Sequence, residues 1–111
     1  MKSTNRTQAR KPTAKAILSN LHTLKERRYV GDLDASDTLI DLQTAISNAK
    51  LTERQLEALH LVYGKDLTQA KVGERMGVKQ DAISKLTERA ERKIDVTYEK
   101  WDKKDLEAGL L

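Results

Sequence analysis

Apolar residues recur at three- and four-residue intervals along most of the chain, and no stretch alternates as a strand does. From Thr13 to about Tyr29, the residues Ile17, Leu18, Leu21 and Leu24 fall on one helical face, with Pro12 at the start and Gly31 and Asp32 breaking the pattern. A second helix is predicted from Ala35 or Ser36, capped by Asp34 or Ser36. Leu39, Ile40 and Ile46, joined by Leu42, form its apolar face, and Asn48 lies near its end. The third helix has the clearest start. Thr52 and Gln55 have capping-box spacing, and Leu51 and Leu56 are placed as a hydrophobic staple. Leu56, Leu59, Val62 and Tyr63 supply its buried stripe, Gly64 ends it, and Lys65, Asp66 and Leu67 lead to Thr68, the cap of the next helix.

Thr68 to Leu86, TQAKVGERMGVKQDAISKL, has the spacing of a helix-turn-helix. Val72 and Met76 share a face one turn apart. Gly73 lets a second helix approach closely, and Gly77 suits a left-handed helix end. Val78 plugs the turn, while Ile83 and Leu86 give the second helix its inward face. This recognition helix starts near Lys79 or Gln80 and continues through Ala90, Ile94, Tyr98 and Trp101. With no Gly or Pro from 78 to 108, it either runs to about Lys104 or bends near Asp95 to Thr97, where Val96 and Thr97 are weak helix formers.

The expected fold is therefore all-α: a small helical bundle with a helix-turn-helix and a long C-terminal helix. The organisation reads as a basic flexible arm (1–12), an N-terminal helical pair for packing or oligomerisation (13–50), the helix-turn-helix unit (51–94), and a C-terminal helix extension with a frayed tail (95–111).

At 111 residues the chain is expected to be one domain, or one small domain with tails, with a modest core. It has three tyrosines, one tryptophan, and neither phenylalanine nor cysteine, which excludes disulfides and thiolate metal sites. No apolar run approaches the roughly 20 residues of a membrane span, and no apolar segment follows the basic start as in a secretion signal. A cytoplasmic protein without membrane contact is expected. The net charge of +4 is unevenly spread. Residues 1–25 carry six basic groups and no acid, residues 26–78 seven basic and nine acidic, residues 79–104 eight basic and six acidic, and residues 105–111 two acids. Positive charge thus gathers on the N-terminal arm and around the recognition helix.

Residues 51–94, LTERQLEALHLVYGKDLTQAKVGERMGVKQDAISKLTERAERKI, resemble region four, the C-terminal DNA-binding region of bacterial sigma factors. The likeness rests on LTERQ, the hydrophobic helix ending in Y-G, the L-T opening, the G-E-R-M-G-V turn and the I-S-K-L helix. SDTLIDLQTAISNA before this segment and YEKW after it look more like the small sigma-like regulators of bacteriophages and prophages of Gram-positive bacteria. The resemblance implies a reader of short DNA sites, with RNA polymerase as a second partner. Residues 1–50 hold one aromatic, Tyr29, and no basic–aromatic cluster, so promoter melting is not expected of them.

If the recognition helix enters the major groove, Lys79, Gln80, Asp81, Ser84 and Lys85 face the bases. Gln80 matches adenine, Lys79 or Lys85 matches guanine, and Asp81 either accepts from cytosine or only favours the helix N-terminus electrostatically. Thr68, Gln69 and Lys71, with Arg54 from the preceding helix, are placed to meet phosphates. Arg89 and Arg92 either reach phosphates or pair with Glu88 and Glu91, and Glu88 limits the reading face to a short length. Arg6, Arg10 and Lys11 on the arm either follow the DNA or only solubilise the chain. His22 and His60 stand apart from other ligand-type residues, and no nucleophile constellation or phosphate-cradling glycine loop is present. No metal, no cofactor and no enzyme activity are expected. The leading expectation is a sequence-specific transcription regulator binding double-stranded DNA, as a homodimer or with a partner, because one motif covers few base pairs. An RNA polymerase-binding adapter and a small DNA-packaging subunit are the alternatives.

Overall fold

Six α-helices and one π-helical turn occupy residues 13–109, which a computed structural model describes, with side chains given through residue 103. They are α1 (Ala14–Ser19), α2 (Leu21–Tyr29), α3 (Leu33–Asn48), α4 (Glu53–Leu59), the π-helical turn His60–Gly64, α5 (Gln69–Met76) and α6 (Gln80–Gly109). The basic arm of residues 1–12, including Arg6, Arg10, Lys11 and Pro12, lies outside the described residues.

The helix predicted over residues 13–29 is two helices. Asn20 leaves helical geometry at φ −105° and ψ 17°, and its N–H bonds to the carbonyls of Ile17 and Leu18. Asparagine is a weak helix former, and the break lets Ile17 and Leu18 on one segment and Leu24 on the other reach the same core. Helix α3 begins two residues before the expected start. Its cap is Asp32 rather than Asp34 or Ser36, because the Asp32 carboxylate accepts the Ala35 N–H and the Arg27 guanidinium, in bonds of 3.1 and 2.9 Å. These bonds, the backbone one foremost, hold Asp32 below the usual carboxylate range. Leu39, Leu42, Ala35 and Ala45 form the buried stripe of α3, whereas Ile40 is 56 % exposed.

Both capping-box bonds of α4 form: Thr52 Oγ1 accepts the Gln55 N–H, and Gln55 Oε1 accepts the Thr52 N–H, each at 3.1 Å. Leu56, expected in the staple and the buried stripe, is instead 47 % exposed, and Ala58, Leu59 and Leu61 are buried. The helix ends by widening, with the Lys65 N–H bonding to the His60 carbonyl five residues back at 2.9 Å. Helix α6 is continuous. It persists past Lys104 into residues expected to fray, as befits a segment without Gly or Pro before residue 109.

Two hydrophobic clusters make the interior. The first gathers α1, α2 and α3 against Leu59, Ala90 and Ile94, with Tyr63, Tyr98 and Trp101 packed alongside. The second gathers Ala58, Leu61, Val72, Met76 and Ile83, with Val62, Leu67, Val78 and Leu86 at its edge. Successive residues Ala58 and Leu59 project into different clusters, so α4 is the partition between them. Helix α6 spans both. Ile83 and Ile94, each 0 % exposed, anchor it in one cluster apiece, a contribution of about 1.5–3 kcal/mol per side chain. Asp95 Oδ1 also accepts the Ala14 N–H at 2.7 Å, which fixes the start of α1 to α6. The N-terminal helices thus pack on the same chain's long helix.

One polar bond crosses the first cluster. The Tyr63 hydroxyl donates to Glu91 Oε2 at 2.6 Å, and Glu91 is 8 % exposed. Burial, with the Glu91 carboxylate second, pushes the Tyr63 phenol well above its ordinary value of 10.0. Burial also pushes Tyr98, whose ring meets Trp101 edge-on at 5.4 Å, up to about 12, and Asp41 and Asp95 add to the effect.

Both phenols are held neutral in the fold, so their share of stability is complete below pH 10 and is lost as pH climbs through about 12 for Tyr98 and beyond for Tyr63. Thermal melts across this alkaline range should show a steep fall that Tyr63→Phe makes shallower. At neutral pH the same substitution strands a buried carboxylate and should cost about 1.5–3 kcal/mol in denaturant melts.

Candidate nucleic-acid interface

The site is built by the joint between α5 and α6. Thr68 Oγ1 accepts the Lys71 N–H at 3.2 Å and starts α5. Val72 and Met76 turn inward onto Ile83 and Leu61. Gly77 then takes the left-handed conformation at φ 71°, ending α5 as its sequence position predicts. The chain folds back so tightly that the Val78 N–H bonds to the Gly73 carbonyl at 2.9 Å. A Cβ on Gly73 would stand 2.7 Å from the Val78 carbonyl oxygen and 3.4 Å from the Lys79 carbonyl carbon. The Lys79 carbonyl accepts the Ala82 and Ile83 N–H groups and opens α6. Backbone contact at Gly73 and the packing of Val72, Met76 and Ile83 together hold the angle between the two helices.

With Ile83 buried, the opposite face of the first α6 turns is in solvent. Lys79, Gln80, Asp81 and Lys85 are exposed, and Ser84 is half-buried beside them. Glu88 is exposed one turn after Lys85. At the start of α5, Thr68 and Lys71 are exposed and Gln69 is half-buried. Lys71 is held 3.6 Å from Glu74, an exposed i,i+3 pair. Arg54 is exposed but not idle: its Nη2 donates to the Met76 carbonyl at 3.5 Å, next to the turn. Arg89 and Arg92 are exposed and make no ion pair among the described residues. The expected pairing with Glu91 does not form, because Glu91 faces the core and takes the Tyr63 hydroxyl.

Sequence reasoning did not single out Lys50, Lys93 and Lys100. With Arg89 and Arg92 they line a cleft of about 650 Å³ between the α3–α4 link and the side of α6. The three-four spacing of 89, 92, 93, 96 and 100 is legible on a helix. Lys50 is not, because only the fold brings the link beside α6. A second, more apolar groove of about 700 Å³ lies on another side, bounded by Leu21, Leu42, Leu56 and Tyr63. Among the described residues, no group of three His, Asp or Glu side chains is gathered as a metal site, and no helix is long and apolar enough to cross a membrane.

A capped helix, a glycine-tight turn and a second helix presenting polar side chains define a helix-turn-helix. Residues 49–94 match the family described as Sigma-70, region 4, so this segment is a sigma region-four-like helix-turn-helix. Comparison with curated proteins and with solved structures gave no match.

Gly73→Ala should lower stability by about 1–3 kcal/mol, the typical cost of overpacking, because the atom it meets is backbone. Urea unfolding followed by circular dichroism measures it, and an unchanged midpoint would mean the joint yields freely.

Proposed function

We propose that this protein is a sequence-specific transcription regulator of the small phage- or prophage-encoded kind, a binding protein rather than an enzyme. The observation that carries the reading is the sigma region-four-like joint that holds Lys79, Gln80, Asp81 and Lys85 in solvent at the start of α6. On this reading those residues and Ser84 meet base edges in the major groove, and Thr68, Gln69, Lys71, Arg54 and Arg89 meet phosphates. Gln80 pairs with adenine and the lysines with guanine. Arg54, already bonded to the Met76 carbonyl, acts on the backbone from a braced position. One motif reads few base pairs, so two copies acting on one operator are part of the proposal.

A second reading, an adapter for RNA polymerase, is favoured by a separate observation. The α2–α3 turn exposes Tyr29 at 91 %, Val30 at 79 % and Leu33 at 77 %, a concentration of apolar surface suited to a protein partner.

Selection from a random-duplex library at about 150 mM salt, near the physiological value, should enrich one short motif. On that motif, Gln80→Ala with Lys85→Ala should weaken binding by about 1–3 kcal/mol for each base these side chains read, without moving the melting temperature. No enrichment by a folded protein, together with co-purification of polymerase from cells, would favour the adapter.

A further inference from the structure

We infer that the cleft lined by Lys50, Arg89, Arg92, Lys93 and Lys100 is a second DNA contact, taking the sugar–phosphate backbone that flanks the bases read by α6. The inference rests on the proposed major-groove reading. Five cationic side chains and no acidic one line this cleft, in a chain whose net charge is only +4. Like charges gathered on one wall repel each other and are stabilised by a polyanion. Asn48, Gln55 and Thr97 add polar groups, and Val96, 42 % exposed, offers an apolar surface for a sugar face.

Two features fix the occupant as the same duplex. The cationic stripe is continuous with the reading face. Lys85, Arg89, Arg92, Val96 and Lys100 succeed one another at three- and four-residue steps along one unbroken helix. The spacing also fits. Arg89 to Lys93 lie about 6–12 Å along the axis beyond Lys85, and the major groove is about 12 Å wide. A helix with its first turns in the groove therefore crosses the bordering strand where these residues stand, and Lys100 lies about 10 Å further out. Glu88, four residues before Arg92, and Glu99 border the stripe but do not line the cleft, whose lining holds no acidic residue.

Of the five cationic residues lining the cleft, Lys50 is the one that α6 does not supply. It adopts φ 55°, a left-handed conformation that costs a lysine and suits a glycine. Lys93 donates to Gln55 Oε1 at 3.0 Å and so also braces the α4 capping box. It is left in place in the test.

The test compares the wild type with Lys50→Gly alone and with the triple variant Lys50→Gln, Arg92→Gln, Lys100→Gln. The probes are a duplex carrying the selected motif, a random duplex if no motif is enriched, and polyglutamate. The triple variant should flatten the plot of log affinity against log salt by about two to three, at about 0.9 per phosphate contact. It should lose roughly tenfold to a hundredfold in affinity near 0.15 M salt and leave the enriched motif unchanged. Lys50→Gly should keep or raise the melting temperature while flattening the slope by about one, which separates binding from folding. An unchanged slope in both variants overturns the inference even if the motif is intact. So does polyglutamate binding that the variants abolish while the DNA slope stays put, since it assigns the cleft to an acidic protein. A flattened slope without any preferred motif upholds the backbone contact and removes the base-reading proposal instead.

Discussion

The structure depends on one helix being shared by two cores. Ile83 belongs to the cluster that shapes the helix-turn-helix, while Ala90 and Ile94, two and three turns later, belong to the cluster that holds α1, α2 and α3. Neither cluster is large. A chain of this size has a net stability of about 5–15 kcal/mol, and tying both clusters to α6 means that neither has to stand alone. The Ala14–Asp95 bond and the Tyr63–Glu91 bond reinforce the same arrangement, each joining a distant part of the chain to α6. The angle at which the start of α6 is presented is therefore set twice. The Gly73–Val78 contact fixes it locally, and the packing of the far half of the helix on the N-terminal helices fixes it globally.

Much of this was legible in the sequence wherever a short-range rule governs. The Thr52–Gln55 box, the Thr68 cap, the left-handed Gly77 and the close approach at Gly73 follow from local chemistry, and the structure has each of them. What escaped was set by distant parts of the chain. Leu56 has the spacing of a core residue, but the stripe is taken by Ala58, Leu59 and Leu61, because α4 must serve two clusters at once. Glu91 looks like a surface partner for an arginine, and only the fold shows Tyr63 reaching it. Asn20 reads as a polar position on one helix, yet the chain turns there so that both halves face the same core. In the candidate site, exposure at Lys79, Gln80, Asp81 and Lys85 follows from the three-four pattern of the buried residues around them. The approach of Lys50 to Lys93 and Lys100 does not, because it depends on where α3 ends in space.

On the proposed function, the mixed charge of the reading face has a use. Asp81 and Glu88 stand beside Lys79 and Lys85 on exposed positions, so this face attracts phosphate weakly and discriminates by the fit of donors and acceptors to base edges. Affinity of the salt-dependent kind then comes from elsewhere, and the stripe from Arg89 to Lys100 is where cations face no acidic neighbour across the cleft. Such a division lets a weakly cationic protein bind DNA selectively, because sequence-independent attraction does not dominate.

Whether the start of α6 is the surface presented to DNA is read most directly by titrating the labelled protein with a short duplex and following its amide chemical shifts. The largest changes should run from Lys79 to Lys85, with smaller ones from Thr68 to Lys71 and at Arg89 and Arg92, and none around Tyr29, Val30 and Leu33. Shifts concentrated at the α2–α3 turn or in the groove beside Leu56, with the start of α6 silent, would contradict that placement.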